Sequence, residues 1–263
     1  MMIGFSPYCR DALNRVSTCF QNVETQNFAS LLIFIIIAIS FTTWAQQGTG
    51  AYSFCPSAPI AKDHEGNVYR TVQIGSQCWM AENMRCTTSP TGHKWYSNPY
   101  FSATQPEYAA YYATPLDPRH GILYNWTAAM DLPAHQNSGK PLAASVRGIC
   151  PEGWRIPNNS DWDQLFNTLG GHKIAGEMMK SPSQMWDSYY SILRENSGFD
   201  AVPAGAYTES QHQYYGRQTF FWCSDNFSRN EAWCCILYDY KNEGYSYLEY
   251  KCYGHSVRCV KEN

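Results

Sequence analysis

The sequence predicts an α+β domain in which one main helix packs with a mainly antiparallel sheet. Three observations support this class: a capped amphipathic helix near residues 158–171, a hairpin pattern at residues 68–80, and a last third rich in strand candidates. We find no internal repeat in the sequence. Runs of strands beside a few helices, rather than a regular alternation of the two, are typical of α+β folds.

Residues 1–45 are expected to be an export segment rather than part of the domain. Residues 31–40 form an uninterrupted apolar run, and small residues lead to an expected cleavage site after Ala45. This arrangement is typical of a signal peptide. The alternative is a retained signal anchor, because residues 28–45 approach the length that spans a bilayer. We therefore expect a secreted or cell-surface protein that touches the membrane only through this segment, if it is uncleaved.

A hairpin is predicted at the start of the domain. Residues 46–60 are expected to be a linker, since they contain Gly and Pro without periodicity, and the domain is expected over residues 61–262. Residues 68–74 alternate in polarity, with Val68 among the apolar positions, and predict a half-buried strand. A Gly-Ser turn then predicts pairing with residues 77–80.

The middle of the chain is predicted to be poor in regular structure. Residues 86–120 show no pattern and are predicted to be a long loop, which usually marks a functional or variable insertion. Residues 121–130 return to an apolar pattern that predicts a short helix. Residues 174–180 are predicted to be a second short element after the main helix.

The main helix is predicted from its cap, its apolar stripe and its stop. Asn158 suits the N-cap, and Asp161 is placed to bond back to it. A glycine pair, Gly170 and Gly171, supplies the left-handed stop. The apolar side chains recur at helical period, at Trp162, Leu165, Phe166 and Leu169.

The last third is predicted to be mostly β. Residues 199–205 suggest a short edge segment, because Pro203 cannot donate to a ladder. Residues 206–218 are rich in turn residues. The strand candidates are residues 219–223, 232–238, 245–250 and 256–261.

Charge and cysteine content narrow the function classes. The net charge is −3, so a nucleic-acid partner is not indicated. Only 16% of residues are charged, whereas 16% are aromatic, which is typical of a loop-rich extracellular domain. Nine of the eleven cysteines follow Ala45, and most are expected to pair in an oxidising compartment. Because nine is odd, at least one stays free or pairs between molecules.

Several motifs, taken together and in order, resemble one known family. They include CPxGWRxPxxxxW around the main helix, SGFxAxPAG after it, and GxSVRCV at the end of the chain. This combination resembles the Fibrobacter succinogenes major paralogous domain family of exported bacterial domains, over about residues 60–262. The resemblance implies a C-type-lectin-like fold related to the formylglycine-generating sulfatase-modifying type. The matching segments are 63–85, 121–130, 150–162, 169–171, 175–181, 197–205, 221–224, 232–233 and 254–260.

The resemblance also implies a disulfide and an alternative activity. C-type-lectin-like folds tie the main helix region to the final strand, which implies a Cys150–Cys259 bond here. Formylglycine-generating oxidases use copper and two cysteines near their last strands, close to an arginine. Cys252, Cys259 and Arg258 are superficially similar, although their spacing departs from that family. Disulfide bonding is the simpler explanation of these cysteines in an exported chain.

Neither a metal site nor another cofactor is predicted. The seven histidines are scattered and show no metal-ligand spacing. Calcium would need clustered carboxylates and carbonyl oxygens, and the lectin sugar-binding signatures that accompany it are absent. The segment Trp-Cys-Ser-Asp-Asn at 222–226, which contains Asp225, resembles one of these signatures only distantly. A strand end followed by a polar turn explains that segment more simply.

Exposed tyrosines are the main indication of function. Tyr207, Tyr214 and Tyr215 are expected to be exposed within residues 206–218, and together with Asp225 they are the candidate binding residues. Tyrosine gives a large amphipathic contact area, which suits glycan or protein recognition. Tyrosines that simply fill the gaps of a loop-rich fold are the alternative. Trp79, Trp126, Trp154 and Trp162 are assigned to the core, because each lies in an apolar pattern.

The sequence therefore predicts an exported, non-catalytic binding domain for a glycan or a surface protein. One alternative is the copper-dependent oxidase, which free thiols at Cys252 and Cys259 would favour. The other is a structural module of a surface fibre or assembly, which an intermolecular disulfide would favour.

Overall fold

The computed structural model describes residues 53–97, 110–113, 117–133, 139–182, 185–187, 197–209 and 211–262. Over these residues the protein is α+β, mainly antiparallel sheet with few helices, as predicted. The strands are β1 (Ile60–Lys62), β2 (Val68–Ile74), β3 (Gln77–Met80), β4 (Tyr96–Ser97), β5 (Ala110–Ala113), β6 (Ile122–Tyr124), β7 (Trp154–Arg155), β8 (Ala206–Thr208), β9 (Gln211–Gln213), β10 (Gln218–Asn226), β11 (Glu231–Tyr238), β12 (Tyr245–Tyr250) and β13 (Val260–Lys261). The helices are α1 (Trp126–Ala129), α2 (Asn159–Thr168) and α3 (His172–Met179), with a 3-10 turn at Pro118–His120.

The main helix, α2, begins and ends as predicted. The Asn158 side chain accepts a hydrogen bond from the Asp161 backbone N–H at 2.9 Å, and the Asp161 carboxylate accepts one from the Asn158 N–H at 2.7 Å. Arg155 donates to the same carboxylate at 2.7 Å, which fixes the segment that leads into the helix. Gly170 and Gly171 both have a φ of 97°, the left-handed backbone that ends the helix.

The N-terminal hairpin pairs with the end of the chain. Strands β2 and β3 are antiparallel with Val72 opposite Trp79, which confirms the predicted hairpin. Strand β13 joins their sheet, with Val260 opposite both Trp79 and Arg155. The prediction for Val68 is wrong, because this side chain is exposed. Its neighbour Tyr69 is buried instead, and its hydroxyl donates to Asp63 at 2.6 Å.

The three-stranded sheet β10–β11–β12 separates two apolar clusters. Cys234 packs into one cluster with Trp126 and Trp222, and Cys235 packs into the other with Trp162. Neighbouring residues of a strand point to opposite faces, which explains why these two cysteines enter different clusters. The four tryptophans assigned to the core, Trp79, Trp126, Trp154 and Trp162, are all buried.

Several local predictions are wrong in extent. The predicted loop at residues 86–120 contains β4, β5 and the 3-10 turn, because β5 pairs with β6 further along the chain. The predicted short helix at residues 121–130 divides into β6 and α1. The turn-rich segment at residues 206–218 contains the hairpin of β8 and β9. The strand predicted at residues 256–261 shortens to β13 plus a bridge at Ser256.

The segment at residues 254–258 is an extended strap through the middle of the domain. His255 and Tyr124 exchange backbone hydrogen bonds at 2.8 and 2.9 Å, and the Ser256 N–H donates to the Phe220 carbonyl at 3.0 Å. Gly254 approaches Tyr207 so closely that a Cβ at this glycine would lie 2.9 Å from the tyrosine Cβ. The strap is therefore held by β6, β8 and β10, and each of its side chains has a fixed direction.

Arg258 ends this strap in a fully buried polar cluster, here called the Arg258 hub, which comprises Asn83, Phe199, Ser256 and Arg258. Its Nε and Nη2 donate to Asn83 Oδ1 at 3.0 and 2.6 Å, and its Nη1 donates to the Phe199 carbonyl. The Asn83 amide donates onward to Ser256 Oγ at 3.1 Å. Burial lowers the pKa of Arg258 to about 9. The hub ties distant parts of the chain together.

Candidate functional site

A pocket of about 240 Å³ opens beside the strap, where β8, β10, β12 and the turn after β9 meet. Aromatic rings and carboxylates line it together. The main lining residues are Glu209, Tyr214, Phe220, Glu249, Tyr253 and His255. We call this set the pocket below.

The hairpin of β8 and β9 supplies one wall of the pocket. Thr208 pairs with Gln211, and Glu209 directly follows Thr208 at the end of the hairpin. Glu209 has a φ of 49°, as the tight hairpin turn requires, and Tyr214 has a φ of 60°. Both residues are non-glycine residues in the left-handed region and both line the pocket.

His255 lines the pocket and is fully buried. Its ring stacks on that of Phe220 at 4.8 Å between ring centres, and its ring centre lies 4.4 Å from that of Trp222. No group in the described part of the chain makes a hydrogen bond of good geometry to either ring nitrogen. Burial lowers the pKa of His255 to about 3, against a smaller opposing effect of the Gly254 backbone, so at neutral pH the imidazole is uncharged. An uncharged imidazole offers one donor and one acceptor.

Two carboxylates give the pocket a negative charge. Burial raises the pKa of Glu249, a β12 residue opposite Ala232. Burial also raises the pKa of Tyr253, and the charges of Glu209 and Glu249 raise it further. Both carboxylates therefore lie within electrostatic reach of the Tyr253 hydroxyl. None of the residues lining the pocket is a lysine or an arginine.

The four predicted binding residues do not come together in one site. Tyr214 lines the pocket and is 45% exposed. Tyr215 is 37% exposed but packs away from the pocket, with its ring 4.8 Å from that of His120. The sequence pattern thus located one pocket residue and its neighbour.

Tyr207 and Asp225 take structural positions. The prediction that Tyr207 is exposed is wrong: it is 2% exposed, because Tyr112 stacks on it at 4.4 Å and Gly254 covers its backbone. Asp225 accepts a hydrogen bond at 2.5 Å from the backbone N–H of Asn159, the first residue of α2. Its carboxylate therefore supports the positive end of the main helix.

Sequence reasoning missed most of the pocket. Phe220, Tyr253 and His255 were not singled out, and neither were Glu209 and Glu249. The only available signal was Glu249, a lone carboxylate in the tyrosine-rich strand Tyr245–Tyr250, on the same face as Tyr245 and Tyr247.

The cysteines form two disulfides. Cys150 and Cys259 are bonded, with 6.0 Å between their Cα atoms, as the resemblance implied. Cys55 is bonded to Cys78, which attaches residue 55 of the expected linker to the hairpin. The expectation that most cysteines pair is wrong for the described residues. Five of them are buried free thiols: Cys86, Cys223, Cys234, Cys235 and Cys252.

The chemistry of the free thiols follows from their burial. Burial raises the pKa of Cys252 to about 11 and that of Cys86 to about 12. A nucleophilic thiol needs a lowered pKa and access to solvent. The oxidase alternative needs Cys252 and Cys259 as free thiols, whereas Cys259 is bonded to Cys150.

Metal clusters and membrane-crossing helices are absent from the described residues. Over these ranges, no three His, Cys, Asp or Glu side chains are grouped so that they could hold a metal ion. In the same ranges, no helix is long and apolar enough to cross a membrane. The expected export segment at residues 1–45 lies outside these ranges.

Comparison with known proteins gives one match. The family model of the Fibrobacter succinogenes major domain matches residues 72–261. No curated protein matches the chain, and no solved structure matches it. Because the family match covers more than half of the sequence, the chain belongs to this bacterial family.

Proposed function

We propose that this member of the Fibrobacter succinogenes major domain family is an exported, non-catalytic binding domain that takes a group of a glycan or protein ligand into the pocket. The observation that carries the proposal is the pocket itself. It combines three aromatic rings, two carboxylates and a buried histidine whose ring nitrogens make no hydrogen bond of good geometry to a described residue. A concave site with aromatic walls and a few convergent polar groups is the usual form of a binding site.

The proposed fold class is C-type-lectin-like. Two features support it: the Cys150–Cys259 bond, which joins the region before α2 to the last strand, and the pairing of β13 with the N-terminal hairpin. In this proposal the sheet and α2 form the rigid scaffold. The pocket is then carried by loops and short strands on that scaffold, as binding sites commonly are.

The two alternatives receive less support. The copper-dependent oxidase would need two accessible thiols, whereas Cys252 is buried and Cys259 is bonded to Cys150. The structural module would be favoured by an accessible odd cysteine, whereas the free thiols of the described residues are buried. Binding at the pocket needs no accessible thiol.

A binding screen tests the proposal. The purified protein is applied to glycan and peptide arrays beside two variants, Tyr253→Ala in the pocket and Tyr247→Ala as the control. Tyr247 is 56% exposed and does not line the pocket. We expect the pocket variant to lose binding and the control to retain it. Equal binding by both variants, or no ligand on either array, would contradict the proposal.

Export is tested separately. Residues 1–60 are fused to a reporter enzyme that is active only outside the cytoplasm, and the N-terminus of the exported product is sequenced. We expect an active reporter that begins at Gln46 if the segment is a signal peptide. An active reporter that keeps residues 28–45 and stays in the membrane would indicate the anchor. An inactive reporter would contradict export.

A further inference from the structure

We infer that the ligand group taken by the pocket is a primary ammonium group, such as that of a lysine side chain or an amino sugar. The inference rests on the proposed function and deepens it. It depends on three features of the pocket: its charge, its aromatic walls and the state of His255.

The charge of the pocket favours a cation. Glu209 and Glu249 both line it, and no lysine or arginine lines it. A phosphate, sulfate or acidic sugar would therefore meet like charges without a compensating base. An ammonium group would instead pair with carboxylates in a partly desolvated place, where such attraction is stronger than in water.

The aromatic walls favour the same group. Tyr214, Phe220 and Tyr253 surround the space, and an ammonium group is attracted to the faces of such rings. The chain already uses this contact elsewhere. The ammonium group of Lys251 lies 4.1 Å from the centre of the Trp126 ring, and that of Lys241 lies 4.7 and 4.9 Å from the rings of Tyr238 and Tyr245.

His255 completes the site as a hydrogen-bond partner. The imidazole is buried and lines the pocket, and no described residue makes a hydrogen bond of good geometry to either ring nitrogen. In its uncharged state, one ring nitrogen accepts a hydrogen bond, and an ammonium group has three N–H donors to offer. Because the ring is uncharged at neutral pH, it does not cancel the charge of the carboxylates.

Glu249 has an energetic reason to bind a cation. Burial disfavours its charged form, and a hydrogen bond from the Tyr250 backbone offsets only part of this effect. A bound ammonium group would supply the missing compensation. Relief of the cost of burying the Glu249 charge would then contribute to the affinity for the ligand.

The test compares two amines with their neutral counterparts. Calorimetric titrations of the purified protein use Nα-acetyl-lysine methylamide and glucosamine, and then the same compounds acetylated on the side-chain amine or the sugar amine. We expect at least one amine to bind, and its acetylated form to bind at least about tenfold more weakly. Comparison of the two amines shows whether the natural carrier is a peptide or a sugar.

Variants show that binding occurs in the pocket. Glu249→Gln keeps the shape of the side chain and removes its charge, and we expect it to weaken amine binding about tenfold. The matched control is Glu152→Gln, an exposed glutamate in the turn before β7, which we expect to bind as the unmodified protein does.

Two outcomes would overturn the inference. Equal binding of the amines and their acetylated forms would show that charge is not recognised. Absence of amine binding up to about 10 mM would also overturn the inference. If the arrays still reveal a ligand lost in Tyr253→Ala, the proposed binding function stands and only the ammonium assignment fails.

Discussion

At Arg258 the chain supplies a hydrogen-bond acceptor for each guanidinium nitrogen. At His255, three residues earlier in the same strap, no described residue makes a hydrogen bond of good geometry to either ring nitrogen. Both side chains are fully buried. A buried polar group without a hydrogen bond is costly, and native proteins leave few of them. The difference within one segment therefore distinguishes a buried group that is bonded into the fold from a buried group whose hydrogen-bonding capacity is not used within the described residues.

The surroundings of the two residues differ in the same way. The Arg258 hub is joined to Asn83 and Phe199, and the next residue, Cys259, is fixed by its disulfide. The pocket instead contains a carboxylate, that of Glu249, whose pKa is raised by burial. Natural proteins commonly sacrifice some stability at functional sites. The comparison predicts that substitutions at the hub destabilise the protein, whereas Glu249→Gln in the pocket stabilises it.

The largest effect is expected from removal of the Cys150–Cys259 disulfide. This bond closes a sequence separation of 109 residues, and the loop-entropy relation gives about 4.8 kcal/mol for it. The Cys55–Cys78 bond closes only 23 residues, for which the same relation gives about 3.4 kcal/mol. Denaturant unfolding of the two Cys→Ser double variants measures the difference. An equal or reversed order would show that loop closure does not explain the stabilisation.

Arg258→Met is expected to have the next largest effect. The substitution leaves the Asn83 and Phe199 oxygens buried without their donor, at about 1–3 kcal/mol for each group. We expect a loss of about 3 kcal/mol in the free energy of unfolding. Arg258→Lys should recover little of it, because one ammonium group cannot reproduce the planar set of donors. Full stability of the Met variant would remove the distinction between hub and pocket.

His255 is expected to make stability depend on pH. An unperturbed histidine has a pKa of 6.5, whereas the pKa of His255 is about 3 in the folded protein. Between these two pH values the unfolded chain binds a proton at His255 and the folded protein does not. Stability should therefore fall as the pH drops from about 6.5 toward 3, by at most about 1.4 kcal/mol per pH unit for one proton. His255→Phe should show a shallower slope than the unmodified protein. His64→Gln, at an exposed residue, is the control, and a slope unchanged in both variants would contradict the account.

The smallest effect is expected at Glu249, and it has the opposite sign. Since burial raises its pKa, the folded state favours the protonated form, and the ionised carboxylate weakens stability as the pH rises through the raised pKa. Glu249→Gln should therefore raise the Tm slightly at pH 7 and have no such benefit at low pH. A lower Tm at pH 7 would mean that the carboxylate supports the fold rather than a ligand.

Local signals in the sequence were enough to predict the scaffold. The α2 cap needs only Asn158 and Asp161, three residues apart, and the β2–β3 hairpin needs only its own alternation and turn. The Cys150–Cys259 bond came from the resemblance rather than from spacing. Each of these features is either short in range or carried by a specific motif, and each was confirmed.

The pocket could not be predicted because its parts are distant in the sequence. Glu249 and His255 reach the β8–β9 hairpin only through the folding of β12 and the strap. The burial of Tyr207 likewise depends on Tyr112, almost a hundred residues earlier. Long-range packing of this kind leaves no periodic signal within a window of sequence, so tyrosine content alone misplaced part of the site.

The most direct test of the ligand role of His255 is nitrogen NMR of its imidazole during titration with Nα-acetyl-lysine methylamide. The account predicts that one ring-nitrogen resonance of His255 shifts as the amine binds, because a nitrogen that makes no hydrogen bond of good geometry to a described residue gains one. The side-chain-acetylated compound should leave it unchanged. Binding of the amine without any change at His255 would contradict the claim that this buried histidine is available to a ligand.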